Sequence, residues 1–194
     1  MCCHVRHRMT ICRRFLWRTV PAPLPNPPAE SSREWPCWAL GSQALLRDTR
    51  GRVALFKPAY RNRDGGLLLS GGAVEEGEDP YGALRREVSE ELGLERAPIR
   101  LLVTEWADAD PKREKPAGIN LVYDVDVLAP GEWESVRLAP ELSGKFLVRP
   151  EALNLHVAPL TERRIRAALQ ALDAGHVELP PMRYAPLSPR TRKK

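Results

Sequence analysis

Residues 80–92 constrain the fold of this chain most, because their pattern predicts a helix with two chemically opposed faces. One face is apolar and carries Leu84, Val88 and Leu92. Another face carries three carboxylates within about one turn: Glu87, Glu90 and Glu91. Like charges at this spacing repel each other, so the acidic face is expected to be occupied by cations while the apolar face packs in a core.

Both ends of this helix carry termination signals. Asp79 is a suitable N-cap, and Pro80 suits the first helical position because its missing N–H is not needed there. Gly93 suits the left-handed conformation that commonly follows the last turn. The sequence therefore predicts a helix from Pro80 to Leu92.

The loop before the helix has the composition of a ligand-binding loop. Gly71 and Gly72 can adopt backbone conformations closed to other residues and can let the chain approach a metal or a phosphate. Glu78 and Arg86 flank the helix start, and Arg86 can also reach Glu90 one turn further on. Because Mg²⁺ prefers oxygen ligands, the segment favours a magnesium site in which Arg86 orients the carboxylates.

The remaining pattern between residues 35 and 178 mixes strands and helices. Alternating or continuous apolar runs predict strands over residues 38–47, 52–57, 67–69, 99–106, 120–128 and 145–148, with a turn over 48–51. Apolar residues at helical spacing predict a second helix over residues 161–174, with Thr161 as its N-cap and Gly175 at its end. The expected class is α/β, as an α+β sandwich with a mixed sheet packed between helices.

The ends of the chain differ from this body in charge. The formal net charge is +5, but residues 1–34 carry +4 and residues 181–194 carry +5, which leaves −4 on residues 35–180. Both ends are also rich in proline, so we expect disordered tails over residues 1–34 and 179–194. Basic tails can bind nucleic acid, but solvated ends are the interpretation we favour.

Composition limits the other classes of protein. No apolar run approaches the roughly 18 residues of a membrane-spanning helix, so no membrane partner is expected. The four cysteines match neither a disulfide framework nor a zinc site, and reduced thiols with a cytoplasmic location follow as the default. A homodimer is left open.

Residues 72–94 resemble the signature of the Nudix hydrolase family, G-x5-E-x7-R-E-U-x-E-E-x-G-U, in which U is a bulky aliphatic residue. Every specified position is matched, by Gly72, Glu78, Arg86, Glu87, Val88, Glu90, Glu91, Gly93 and Leu94. The layout of the strands and of the last helix is also similar, so the resemblance extends over about residues 36–175. The tails lie outside it.

The resemblance implies a loop–helix–loop motif on a mixed sheet and hydrolysis of a diphosphate linkage with Mg²⁺ or Mn²⁺. It implies that the metal ligands are three carboxylates and one carbonyl, namely those of Glu87, Glu90, Glu91 and Gly72. It also implies that Glu78, Arg86 and Gly71 support them. Ser70 stands where members of the family commonly have proline, which changes the stiffness of the loop but removes no ligand.

The general base is open between two residues. Glu87 is a candidate on the helix itself. Glu141 is a candidate because residues 141–148 resemble the loop and strand that bring such a residue to the site in related proteins. Gly144 stands where relatives often have a second acid, and this departure weakens the case for a base from that loop.

The substrate is open among nucleoside triphosphates, ADP-ribose and nucleotide sugars, all of which are small nucleotides with a diphosphate linkage. Pro111 lies 17 residues after Leu94, close to where ADP-ribose enzymes carry a proline, although Asp110-Pro111 is also an ordinary turn. Three other functions remain open: a nucleotide-binding regulatory module, a pyrophosphohydrolase of RNA 5′ ends, and, ranked lowest, a diphosphate isomerase. The family's regulatory members usually lose carboxylates from the helix, and this chain retains all of them.

Overall fold

A seven-stranded mixed sheet organises the computed structural model, which describes residues 37–59, 66–111, 116–175 and 182–183. The strands are β1 (Ala39–Arg47), β2 (Val53–Pro58), β3 (Ser70–Ala73), β4 (Arg100–Ala107), β5 (Gly118–Val127), β6 (Leu142–Val148) and β7 (Met182–Arg183). The helices are α1 (Pro80–Leu92), α2 (Glu132–Ser135) and α3 (Pro159–Ala174), with a 3-10 helix over Pro150–Leu155.

Strand β1 lies at the centre of the sheet. The order is β6-β2-β1-β5-β4-β7, and β3 pairs with the N-terminal half of β1 on the same side as β2. The β1–β5 and β4–β7 pairs are parallel, and the other pairs are antiparallel. As a result, β3 and the loop that follows it are held directly against the central strand.

Alternation along β1 divides the core into two layers. Leu45 belongs to a cluster that includes Ile165 and Ala168 of α3. Its neighbours Ala44 and Leu46 belong to a second cluster on the opposite face of the sheet. That second cluster also contains the three apolar side chains of α1, namely Leu84, Val88 and Leu92. The sheet therefore lies between α1 and α3, which confirms the predicted α+β sandwich.

Helix α1 begins and ends at the predicted residues. The Asp79 carboxylate accepts hydrogen bonds from the backbone N–H groups of Tyr81 (2.8 Å) and Gly82 (2.9 Å). Gly93 has a φ of 65° and donates its N–H to the carbonyl of Ser89 at 2.9 Å. Both caps satisfy backbone groups that a helix end leaves unpaired.

Two predicted boundaries were wrong. Helix α3 begins at Pro159 after the extended residue Ala158, and Thr161 is a buried residue inside the first turn rather than the N-cap. Proline at the first helical position fixes this earlier start. Residues 67–69 do not form the predicted strand: Leu68 makes an isolated bridge to Phe56, and the regular strand β3 begins only at Ser70.

The predicted N-terminal tail, residues 1–34, lies outside the described residues, as does most of the predicted C-terminal tail, residues 179–194. Two residues of that C-terminal segment, Met182 and Arg183, form β7 beside β4. Among the described residues, none of the helices has the length and apolar character needed to cross a membrane.

Candidate active site

The start of α1 is fixed to the central strand by a buried hydroxyl. Ser42 of β1 donates a hydrogen bond from Oγ to the carbonyl of Pro80 at 2.8 Å. The same residue is the register partner of Gly72 in β3. One residue of the rigid sheet therefore positions both the helix start and the glycine pair of β3. We call residues 70–78, which contain this pair and the turn that follows it, the glycine loop.

The two glycines are required for different reasons. Gly71 has a φ of 131°, and a Cβ atom there would lie 2.2 Å from the carbonyl oxygen of Ser42. Gly72 has no such backbone constraint, but a Cβ atom there would lie 2.3 Å from Oε1 of Glu87. The absence of a side chain at residue 72 thus lets the Glu87 carboxylate reach the backbone of the loop.

The Glu91 carboxylate is the one held most closely by the loop. Its Oε2 accepts hydrogen bonds from Oγ of Ser70 (2.7 Å) and from the backbone N–H of Gly71 (2.9 Å). Burial raises the pKa of Glu91 above its ordinary value, and the nearby negative charges of Glu87 and Glu141 raise it further, although these two hydrogen bonds oppose the shift. A cation beside Glu91 would relieve this unfavourable concentration of negative charge.

Arg86 gathers the other acidic side chains of the motif. Its guanidinium donates two hydrogen bonds to Glu78, from Nε (3.1 Å) and from Nη2 (3.0 Å). Its Nη1 donates to Glu87 at 2.9 Å and to Glu90 at 3.3 Å. Its Nη2 also donates to the carbonyl of Ala73 at 3.1 Å, which fixes the guanidinium to the end of β3.

The bidentate pair with Glu78 is the dominant interaction of Arg86. It lowers the pKa of Glu78, and the same hydrogen bonds raise the pKa of Arg86. Both groups are therefore ionised across the ordinary pH range. The pair holds Arg86 in one orientation, from which it reaches Glu87 and Glu90.

The predicted loop acid lies close to this cluster in the structure. Glu141 is exposed at the start of the turn into β6, and its charge acts on Glu91. The segment before it is attached to α1, because the N–H groups of Arg137 and Ala139 donate to the carbonyls of Leu92 (2.9 Å) and Glu91 (3.0 Å). Gly144 lies further along β6 and pairs with Lys57 of β2.

The three carboxylates predicted as metal ligands lie along α1, and Gly72 lies in β3, but these groups are not drawn together as a metal site. Within the described residues, no three His, Cys, Asp or Glu side chains are close enough to hold an ion. Glu87 and Glu90 are bonded to Arg86, and the Glu90 side chain is 58% exposed. Glu91 is bonded to the loop instead.

The chemistry of these groups nevertheless fits a hard divalent cation. They are oxygen donors, which Mg²⁺ and Mn²⁺ prefer, and burial together with the charges of Glu87 and Glu141 raises the pKa of Glu91. The carboxylate of Glu87 also lies against the backbone of Gly72, where a carbonyl ligand is available. To bind an ion together, Glu87 and Glu90 would exchange their contacts with Arg86 for contacts with the metal.

Two contacts of this site were missed from the sequence. The Ser70 hydroxyl is a partner of Glu91, and its place directly before the two glycines is the only signal that could have found it. The second missed contact is the hydrogen bond from Arg86 to the carbonyl of Ala73. Since every residue has a backbone carbonyl, the residue type at position 73 could not indicate it. Of the residues predicted to support the ligands, Arg86 and Glu78 are bonded to each other and Gly71 donates its N–H to Glu91.

Comparisons with known proteins agree with this layout. The sequence profile of the NUDIX domain matches residues 39–169, more than half of the chain. No curated protein sequence matches the chain significantly.

Several solved structures share the fold. The MutT protein from Methanosarcina mazei Go1 is 22% identical, with a TM-score of 0.58 over 74% of this chain and 99% of that one. A MutT NUDIX hydrolase from Burkholderia pseudomallei is also 22% identical, with a TM-score of 0.57 over 68% of this chain and 98% of that one. The NUDIX domain of Shewanella oneidensis NrtR, solved with ADP ribose, is 15% identical, with a TM-score of 0.58 over 74% and 94% of the two chains.

The profile match spans strands β1 to β6, α1 and most of α3, and the acidic helix with its glycine loop lies inside it. This chain therefore belongs to the NUDIX domain family, a family of pyrophosphohydrolases.

Proposed function

We propose that this chain hydrolyses the diphosphate linkage of a small nucleoside diphosphate derivative and depends on Mg²⁺ or Mn²⁺ for the reaction. The carboxylates of Glu87, Glu90 and Glu91 and the carbonyl of Gly72 would hold the ion. Nudix hydrolases generally use divalent metal ions, and the identity of the ion is part of the proposal.

One observation carries this proposal. The carboxylates of Glu87 and Glu91 both lie against the backbone of Gly71 and Gly72, and burial, together with the charge of Glu87, raises the pKa of Glu91. An arrangement in which acids repel each other beside a side-chain-free backbone costs stability unless a cation binds there.

The metal would supply charge neutralisation at the phosphate oxygens and polarise the P–O bond that breaks. The contribution of the chain is positional. Ser70 and Gly71 hold one Glu91 oxygen and leave its other oxygen available. The pair with Glu78 holds the Arg86 guanidinium beside Glu87. Once Glu87 and Glu90 bind the ion, the Nη1 group of Arg86 becomes available to donate to a phosphate.

Two residues compete for the role of the base that removes a proton from the attacking water. Oε1 of Glu87 is occupied by a hydrogen bond from Arg86. Glu141 is exposed, close enough for its charge to act on Glu91, and has no described side-chain partner. These observations favour Glu141 as the base.

The proposed substrate class is a nucleotide derivative with a diphosphate linkage, such as a nucleoside triphosphate, ADP-ribose or a nucleotide sugar. Support comes from a neighbour with the same fold that was solved with ADP ribose bound. Within this class the identity of the substrate stays open.

The test is a cleavage assay in which the products are separated by chromatography, over a panel of deoxynucleoside triphosphates, ADP-ribose, nucleotide sugars, dinucleoside polyphosphates and 5′-triphosphorylated RNA. Each is assayed with Mg²⁺, with Mn²⁺ and with a chelator, for the wild type and Glu91→Gln. We expect metal-dependent cleavage of one class that Glu91→Gln lowers by at least about a hundredfold. Binding of a panel compound, measured by calorimetry, without its cleavage would favour a regulatory module, and cleavage of triphosphorylated RNA alone would favour an RNA-end enzyme.

A further inference from the structure

A second polar cluster lies on the opposite face of the sheet from α1. Gly41, Asn120 and Glu105 form one row across β1, β5 and β4, since Asn120 is the register partner of both of the others. Gln43 lies two residues along β1 from Gly41, so its side chain points to the same face. Arg164 of α3 covers this row from above.

A buried ion pair forms the base of the cluster. The Glu105 side chain is fully buried, and its Oε2 accepts hydrogen bonds from Nε of Arg164 (2.8 Å) and from Nδ2 of Asn120 (3.3 Å). Its other oxygen, Oε1, is also buried and has no hydrogen-bond partner among the described residues. An unpaired buried acceptor costs stability, so its presence calls for an explanation other than packing.

The ion pair fixes the orientation of two side-chain amides. Arg164 donates from Nη1 to Oε1 of Gln43 at 2.7 Å, and Glu105 accepts from Nδ2 of Asn120. Each amide is therefore turned so that one end is occupied. The remaining ends, the Gln43 amino group and the Asn120 oxygen, have no partner among the described residues, and both side chains are partly exposed.

This cluster is adjacent to the glycine loop of the candidate active site. A Cβ atom on Gly41 would lie 2.7 Å from Oδ1 of Asn120 and 3.8 Å from the carbonyl oxygen of Gly72. The Asn120 oxygen and the Gly72 carbonyl thus border the same small space, which stays open only because residue 41 has no side chain. A ligand held at Gly72 by its phosphates could extend across this space.

We propose that Asn120 and Gln43, positioned by the Glu105–Arg164 pair, recognise the nucleobase of the substrate. The Asn120 oxygen is a free acceptor and the Gln43 amino group is a free donor, and the two residues lie diagonally on the neighbouring strands β5 and β1. The edge of a nucleobase carries a donor beside an acceptor, so it complements these two groups. The inference rests on the proposed function, because it assigns a binding site to the nucleobase, the part of the nucleotide that the metal site does not hold.

The test compares ligands with and without a nucleoside. The affinities of the α,β-methylene analogues of ADP, GDP, CDP and UDP, which resist hydrolysis, and of methylenediphosphonate are measured by calorimetry with Mg²⁺. Asn120→Ala and Gln43→Ala are compared with the exposed controls Asn154→Ala and Gln170→Ala. Thermal unfolding checks that each variant is folded, and the two test variants are judged independently.

We expect each test variant to weaken the best-bound nucleoside analogue by about tenfold, the value of one hydrogen bond. Affinity for methylenediphosphonate and both controls should stay at wild-type values. Equal losses for every ligand, no loss for any, or a wild type that prefers no nucleoside analogue over methylenediphosphonate would each overturn the inference.

The two proposals fail separately. If the chain hydrolyses a nucleotide in a metal-dependent reaction but Asn120→Ala and Gln43→Ala bind all ligands as the wild type does, only the nucleobase site is wrong. If the variants lose nucleoside affinity selectively while no substrate is cleaved, the nucleobase site stands and the hydrolase proposal is wrong.

Discussion

The carboxylate of Glu87 lies against the backbone of Gly72, so closely that a Cβ atom on residue 72 would be 2.3 Å from its Oε1. The contact joins the third turn of α1 to the end of the glycine loop. It explains why a glycine is needed at a position whose own backbone conformation other residues could adopt.

Gly72→Ala should therefore reduce activity more than stability. The clashing atom is the end of a flexible side chain, so Glu87 can move aside and the fold should persist, but the carboxylate would leave its place beside the loop. We expect kcat/KM to fall by at least about tenfold. Gly82→Ala is the matched control: a Cβ there meets Glu78 at an ordinary 3.5 Å, and it should raise stability by about 0.5 kcal/mol with activity unchanged.

Arg86→Ala removes the centre of the ion-pair cluster. Glu78 would lose its bidentate partner, and Glu87 and Glu90 would lose the group that orients them. We expect kcat/KM to fall by about 10- to 100-fold, the usual effect of removing a partner that orients metal ligands. The neighbouring exposed Arg85 provides the control, and a fall of the same size in Arg85→Ala would show that overall charge is responsible.

Glu141→Gln tests the choice of base. The carboxylate lies near Glu91 without a described side-chain partner, so its loss should leave metal binding intact. We expect kcat to fall by about a hundredfold and Mn²⁺ affinity to change little. Exposed Glu134 serves as the control. Wild-type turnover by Glu141→Gln would return the role to Glu87.

Asp48 makes stability depend on pH in acid. Burial alone would raise its pKa, but the side-chain bond from Arg52 and the backbone N–H groups of Arg50 and Arg52 outweigh burial and lower the pKa below its usual 3.8. Since the folded-state pKa is depressed, its contribution is present above the unfolded value and lost as pH falls through the folded value.

Asp48→Asn should therefore lower the free energy of unfolding by about 1 kcal/mol at pH 7. The difference from the wild type should disappear as pH falls below about 3.8 and through the depressed pKa. Urea unfolding at a series of pH values measures this. A difference that is constant with pH would mean that the charge of Asp48 is not involved.

Local signals made α1 predictable, whereas Gly71 and Gly72, predicted as part of a loop, lie in β3. Asp79, Pro80 and Gly93 act on backbone groups within a few residues of themselves, so their effect can be read without knowing the rest of the fold. Helix α3 was misplaced at its start because Thr161 offered a capping side chain, whereas Pro159 provides the first helical turn with no such bond. A capping side chain at Thr161 and a proline at residue 159 are both local signals for a helix start, and the structure shows that the helix begins at the proline.

Long-range partners could not be predicted in the same way. Glu105 and Arg164 are 59 residues apart, and their pairing depends on how α3 crosses β4. The contact of Ser70 with Glu91 depends on the pairing of β3 with β1, which places the loop under the helix. Such contacts follow from sheet order and helix packing, which the pattern of one sequence does not specify.

The proposed hydrolysis depends on binding of a divalent metal ion by the acidic face of α1. Electron paramagnetic resonance of Mn²⁺ measures this directly in the wild type, in Glu91→Gln and in Glu95→Gln, whose exposed side chain bonds only Ser89 among the described residues. We expect the wild type and Glu95→Gln to bind Mn²⁺ alike and Glu91→Gln to bind it at least about tenfold more weakly. Equal affinity in Glu91→Gln would contradict the proposed metal site.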